Sequence, residues 1–415
     1  MSRRARRTAL KFVVLASALS MAAACGGSSA PSTQGSSSGE ADKPPILIGA
    51  SIPLTGQFSE QGQAAQQGYK VWEALVNEKG GLLGRDVKLV IKDDASDQNT
   101  VVADYNALIS KDKVDLLIGT YSSLLNLPAS AIAEKNEMVY VEPAGGSPKL
   151  FDRGFKYLFF AQQATADKQG VVFANYIASL PEDQRPKTAA YVSIDDPFVG
   201  PHIAATKPIL EKAGVKTVYE QTYAVDTANF DTIVSAIKSK KPDLVMHGAF
   251  FPDGVGLIRS MLRAEAVPSW LYQTTAPGLG EQFSKAIGPE NTEGILYAVS
   301  WAPQAKTPGN DEFVKKFADM FGGEPAEDAG DAFAAAQVLQ AAVEAVGSID
   351  DQSKLAEWLH SNTVDTILGK LNWDDAGRPQ GQFLIGQWQS GKVEFVLPSD
   401  VATTDHIVEG WKPGK

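Results

Sequence analysis

From Ile46 onward the chain alternates short apolar runs with longer amphipathic stretches. The runs Ile46–Ile52, Val87–Lys92, Val114–Gly119, Met138–Val141, Thr188–Ile194, Lys216–Tyr223, Asp243–Phe250 and Gly294–Val299 predict strands. Most are rich in Val, Ile, Leu and Tyr and are bounded by turn residues. Between them, Gln63–Lys79 sets Ala64, Gly68, Val71, Trp72, Leu75 and Val76 on one stripe, and Gly80-Gly81 supplies a stop, so a helix is expected there. The stretches Val101–Ser110, Ser130–Glu134, Gln169–Leu180, Pro201–Lys212, Phe230–Lys238 and Gly254–Arg263 read the same way. Strand–helix alternation with near-continuous apolar strands implies parallel sheets covered by helices on both faces. A sheet of this kind is filled by about five or six strands, so the number of runs predicts an α/β protein of two lobes. Later, Ala329–Val346 is an alanine-rich helix, Lys354–Leu359 a shorter one, and Leu371–Asp374 with Phe383–Trp388 a β-rich tail.

Ahead of these elements stand a basic cluster (Arg3, Arg4, Arg6, Arg7, Lys11), an apolar run from Phe12 to Met21, and Ala22-Ala23-Ala24-Cys25-Gly26-Gly27. A charged start, a short apolar core and small residues before a cut site predict a signal peptide over 1–24. Cys25 is the only cysteine. Its setting resembles a bacterial lipobox, although Ala22 stands where a large aliphatic residue is usual. The resemblance implies lipidation of Cys25, with residues 25–45 as a flexible Ser/Gly/Pro-rich linker. The protein is then expected outside the cytoplasm, tethered to the bacterial cell membrane.

Composition narrows the chemistry. Losing the five basic leader residues takes the formal charge from −11 to −16 (−11 − 5), which argues against nucleic acid or an anionic membrane surface as partner. Without Cys25 the mature chain has no thiol for a disulfide, a metal or a nucleophile. His202, His247, His360 and His406 are far apart and show no ligand spacing. No nucleophile elbow, phosphate loop or dinucleotide fingerprint occurs. Asp93-Asp94, with Asp97 and Asn99, reads as turn and capping chemistry at a strand-to-helix junction. No enzyme activity, metal or cofactor is therefore expected.

Two loops at predicted strand ends do carry a binding signal. One is Gly119-Thr120-Tyr121-Ser122-Ser123, the other Glu142-Pro143-Ala144-Gly145-Gly146-Ser147-Pro148. Ligands of open α/β sheets sit beyond the carboxyl ends of strands. Hydroxyls and free backbone N–H groups there are suited to a carboxylate.

Eight segments resemble, in order, the leucine/isoleucine/valine-binding family of ABC-transporter solute receptors, with its type I periplasmic binding fold. They are IPLTG from Ile52, NEKGGLLGR from Asn77, KDDASD from Lys92, IGTYSSLLNLPAS from Ile118, PAGGSPKL from Pro143, DDPFVG from Asp195, GAFFPD from Gly248 and LNWDDAG from Leu371. The resemblance implies two Rossmann-like lobes joined by a three-crossover hinge, one comprising 46–161 with 299–381, the other 162–298 with 382–415. It implies a monomer that binds a branched-chain amino acid or related small carboxylate between the lobes and hands it to an ABC permease. A signalling receptor, or a binder of an aromatic acid or small amide, is the alternative.

Residue by residue, Ser123 resembles the serine that meets the ligand carboxylate, and Ala144 the residue whose carbonyl accepts from the ligand ammonium. Gly146 replaces a threonine, Gln61 resembles a wall residue, Phe198 or Val199 an aromatic lid, and Phe250 replaces a tyrosine. With Tyr121, Ser122 and Gly145 these form the expected site. Ala276 stands where the family carries the acid that pairs with the ammonium, and an unpaired buried ammonium is costly. Either Asp196 or Asp253 is expected to take over, or the ligand is not an ordinary α-amino acid.

Overall fold

A computed structural model describes residues 43–414; the basic and apolar leader, Cys25 and nearly all of the linker lie outside the described residues. A first sheet contains β1 (Ile46–Ile52), β2 (Val87–Asp93), β3 (Leu116–Ile118), β4 (Tyr140–Glu142) and β5 (Leu158–Phe160) in the order β2-β1-β3-β4-β5, all parallel. A second contains β6 (Thr188–Ile194), β7 (Lys216–Tyr223), β8 (Leu244–Gly248), β9 (Trp270–Gln273) and β10 (Leu296–Val299). After a small hairpin, β11 (Val364–Thr366) with β12 (Gly369–Leu371), the chain returns as β13 (Leu384–Gln389) and β14 (Lys392–Leu397). β13 adds antiparallel to β10 and β14 antiparallel to β13, completing the order β14-β13-β10-β9-β8-β6-β7.

Most expected strands occur within a few residues of their predicted bounds. β9 was not expected from the pattern: four residues, all buried, are too few to show a period. The helix expected at Ser130–Glu134 runs instead from Ser123 to Lys135 and contains Pro128. That proline removes one backbone donor and broke the pattern, but packing of Leu125, Ala129 and Ala133 holds the helix. The helix Asn310–Phe321 was also unforeseen.

The late helix Glu327–Val346 returns to the first sheet and packs along the helix Ser59–Glu78. Their approach is close enough that a Cβ on Gly68 would lie 2.0 Å from the Ala329 carbonyl oxygen. Trp72 Nε1 donates to Gln340 Oε1 at 2.9 Å across the same contact. A Cβ on Gly330 would strike the Trp301 ring at 2.5 Å. The two glycines thus set where the amino end of this helix stands.

Three strand-to-strand passages cross between the sheets: after β5, after β10 and ahead of β13. Gln163 in the first donates from Nε2 to the carbonyl of Ser300 in the second at 2.9 Å and to that of Leu368 at 3.2 Å. Its own carbonyl accepts from Gly381 N in the third at 2.8 Å. Trp373 Nε1 donates to the Phe160 carbonyl at 2.6 Å.

Gly68→Val should destabilise the protein by about 1–3 kcal/mol, the usual cost of overpacking. Gly200→Ala, where a Cβ meets nothing, should leave stability nearly unchanged. Urea unfolding of both variants checks this; equal midpoints would mean the helix pair yields freely.

Candidate functional site

The cleft opens between the sheets and encloses about 550 Å³ of atom-free space, its open mouth included. From the first lobe come Tyr121, Ser122, Pro143, Ala144 and Phe160. Ser122 has φ +70°, a conformation that costs a non-glycine residue free energy and persists where the surroundings impose it. Here the Asn126 amide imposes it, donating to the carbonyls of Thr120 and Ser122, both at 2.9 Å, while Tyr140 donates to its Oδ1 at 2.7 Å. Glu142, fully buried, folds back to accept from Ala144 N at 2.8 Å and from Gly145 N. Burial holds its carboxyl well above the usual range, and those two N–H groups act against the rise.

The second lobe contributes Phe198, Phe250, Thr274 and Thr275. Asp196 accepts from Phe198 N at 2.7 Å, opening the helix that carries Val199 to Lys212. Phe250 is placed by a buried chain of hydrogen bonds. Its N–H donates to Asp253 Oδ1 at 2.9 Å, and Tyr223 donates to Asp253 Oδ2 at 2.5 Å. The Tyr223 proton is thereby committed, so His247 Nε2, 2.9 Å away, is the donor to the tyrosine oxygen. Nδ1 then accepts from Gln273 Nε2 at 2.9 Å. Burial lowers the His247 pKa to about 3, which keeps the ring neutral as this pattern requires. Phe250 meets Phe58 and Tyr121 of the first lobe at centroid distances of 5.0 and 6.2 Å, closing one side of the cleft.

The remaining wall is built at the crossovers. Gln162, Ala298, Ser300 and Phe383 line it, together with Glu327, Asp328 and Asp331 from the first turns of the late helix. Ser300 Oγ lies 2.7 Å from Glu327 Oε1 and 2.6 Å from Asp331 Oδ1. One hydroxyl proton cannot serve both carboxylates at once. Burial raises all three carboxyl pKa values, and the charge of Asp331 raises those of Glu327 and Asp328 further. The Ser300 hydroxyl acts the other way on Glu327 and Asp331.

The structure brings five of the expected residues to this lining: Tyr121, Ser122, Ala144, Phe198 and Phe250. The others stand elsewhere. Ser123 is fully buried and its Oγ accepts from Ser147 N at 2.9 Å, so it ties the two first-lobe loops together. The N–H groups of Ala144 and Gly145, expected to be open to a carboxylate, are taken by Glu142. Gly146 lies under Phe198, where a Cβ would come within 2.9 Å of the ring, which accounts for the missing threonine side chain. Gln61 is buried with both amide atoms unpartnered, outside the cleft lining. Ala276 is buried against Gly254. Asp196 and Asp253, expected as replacement acids, are engaged with backbone N–H groups and Tyr223 and do not line the cleft. Asp93 and Asp94 do turn work, accepting from Leu54, Thr55, Ala95 and Ser96 N–H groups. Sequence reasoning missed Glu327, Asp328 and Asp331, which pass for ordinary first-turn carboxylates. Their spacing, which sets residues 327, 328 and 331 on adjoining turns of one face, is the signal that was available.

Two sheets, three crossings and a closed-sided cleft define a two-lobed receptor for a small solute. The model of the periplasmic binding protein family matches residues 45–392. The chain belongs to that family, and its two Rossmann-like lobes are those of the type I periplasmic binding fold. An amino acid binding protein of Pseudomonas aeruginosa is 28% identical over 354 residues, 85% of this chain and 92% of the relative. The crystal structure of a leucine binding protein, LivK, from Thermotoga maritima superposes with TM-score 0.76 at 22% identity, covering 86% of this chain and 99% of that one. An ABC-transporter solute binding protein from R. palustris, solved with benzoate, gives TM-score 0.76 at 21% identity over 88% and 99%. Family membership carries an extracytoplasmic location, and no helix among the described residues is long and apolar enough to cross a membrane.

A carboxyl whose folded pKa is raised stabilises the fold only while it holds its proton, so its contribution is lost as pH rises through the folded value. Asp328→Asn should therefore raise the melting temperature of the ligand-free protein at pH 8 and change it much less at pH 5. Calorimetry at the two pH values checks this; an equal shift at both would show that the Asp328 charge is not buried.

Proposed function

We propose that the protein is the solute receptor of an ABC importer, that it holds an amino acid between its lobes, and that it catalyses no reaction. The observation that carries this reading is the pairing within one cleft of Phe198 and Phe250 with the carboxylates of the crossover wall, Asp331 buried and Glu327 and Asp328 half-buried. Aromatic faces suit the body of a small organic solute, and the carboxylates supply the counter-charge for an ammonium. The acid that family resemblance looked for at Ala276 is here supplied from the helix Glu327–Val346. An aromatic acid without an amino group would set its anion against these same carboxylates, so the amino-acid reading is favoured.

In this reading the bodies 46–161 with 299–381 and 162–298 with 382–415 rotate about the crossovers. The closed surface is what a permease recognises. Cys25 anchors the receptor by acyl chains, and residues 25–45 give it reach.

A thermal-shift screen of the mature chain over the common amino acids should give at least one clear rise, since a ligand stabilises by RT ln(1 + [L]/Kd). Silence for every amino acid alongside a response to benzoate-type acids would reverse the assignment. For the ligand so identified, Phe250→Ala should weaken binding by about 1.5–3 kcal/mol through lost apolar burial, read by titration calorimetry. Cys25→Ser should move the protein from the membrane fraction to the soluble fraction without changing that affinity. Retention after a carbonate wash would exclude the anchor.

A further inference from the structure

We propose that the solute carries net positive charge, as a basic amino acid does, and that its terminal ammonium or guanidinium seats against Asp328, Asp331 and Gln162. This rests on the receptor reading above and narrows it.

The first argument is an inventory of what the cleft offers. Its lining holds three carboxylates and no lysine, arginine or histidine. A solute with a neutral side chain brings one ammonium and one carboxylate, leaving the wall unbalanced. The donors that would receive its carboxylate are largely committed. Glu142 takes the Ala144 and Gly145 N–H groups, and Ser123 takes that of Ser147. The hydroxyls of Thr274 and Thr275 donate to the Ala249 carbonyl at 2.7 and 2.9 Å. Ser122 remains. A second cationic group changes this balance, because it meets acceptors that lack donors.

The second argument comes from the amide oxygen of Gln162. Gln162 is 3% exposed and lines the cleft, and its Oε1 has no hydrogen-bond partner. Its Nε2 donates to the Pro143 carbonyl at 2.9 Å and also faces Asp331, which orients the amide. A buried unpaired acceptor is costly, and a ligand N–H at this point satisfies it. Asp328 is half-buried, and no side chain among the described residues donates to its carboxylate. Ser300 shares its one proton between Glu327 and Asp331. Once ionised, the three carboxylates have donors only from Ser300 and Gln162 among the described side chains, fewer than their lone pairs can take. An ammonium or guanidinium has three to five N–H groups and no acceptor. A metal ion fits less well: among the described residues no group of three or more His, Cys, Asp or Glu is arranged to hold one. Phe160, Phe198, Phe250 and Phe383 supply faces for the methylene stem of such a solute.

The ionisable groups that face the three carboxylates are Tyr69, Tyr121, Tyr272 and Tyr297, none of them basic. Among the described residues, no basic side chain therefore neutralises the wall when its carboxyls ionise. A bound cation favours the ionised forms, so its binding releases protons and strengthens as pH rises.

Titration calorimetry of the soluble Cys25→Ser chain with lysine, ornithine, arginine, leucine, valine and calcium chloride, at pH 8 and pH 5.5, tests the assignment. At least one basic amino acid should bind more tightly than leucine or valine, and more tightly at pH 8 than at pH 5.5. Asp328→Asn should weaken that binding at least about thirtyfold, as loss of one partner of a desolvated charge pair does. Asp331→Asn should do likewise, with melting curves confirming that both variants are folded. Leucine or valine binding more tightly than every basic amino acid would overturn the charge assignment and leave the receptor reading intact. So would a basic ligand indifferent to both variants. Silence from all five amino acids, or a response to calcium alone, would overturn the charge assignment, and a thermal-shift screen silent for every common amino acid would overturn the receptor reading as well.

Discussion

The structure depends on the way three chain crossings are held together by one buried glutamine. Gln163 in the first crossing binds the carbonyl of Ser300 in the second and receives Gly381 N of the third. Its amide and carbonyl satisfy groups that have no sheet partner at the point where the chain leaves one sheet for the other. Because Gln162 precedes it and Ser300 is its partner, the same knot places two of the polar residues lining the cleft. The cleft wall and the crossings between the sheets are therefore built from the same residues.

The late helix serves two purposes at once. Its apolar face is seated on the first lobe by contacts so close that Gly68 and Gly330 admit no side chain. Its amino end is thereby driven into the crossover region, where Glu327 bonds to Ser300 and lies against Gly278 of the second lobe. Carboxylates at a helix amino terminus gain from the helix dipole. That gain is small beside the cost of desolvating three of them together. The cluster is a local instability that the rest of the fold supports.

Aromatic placement on the opposite lobe follows the same economy of buried polar groups. The chain from Gln273 through His247 and Tyr223 to Asp253 ends at the N–H of Phe250. Each member is both held and holding, so a ring that lines the cleft is fixed by residues outside it. Phe198 is set in a like manner by Asp196. Both acids were candidates for contact with a ligand, and both prove to be supports for an aromatic wall.

The local pattern by itself determined the α/β class, the two lobes and most strands, because buried parallel strands are written as continuous apolar runs. Strands β1, β6 and β7 occur at the very bounds that pattern implies. The loops after β3 and β4 were also legible, since glycine and hydroxyl residues cluster at strand ends there. Tertiary structure alone decided which polar groups remain free. Ser123 looked open to the cleft, but it is buried behind the lining with its Oγ accepting from Ser147 N, and the N–H groups of Ala144 and Gly145 are taken by Glu142. Glu327, Asp328 and Asp331 looked like solvated helix-start residues until the helix carried them to a wall formed by residues far away in the chain. Periodicity reports which face of an element is apolar. It is silent on what covers the polar end, and the desolvation that gives those carboxylates their meaning exists only once the crossovers have closed over them.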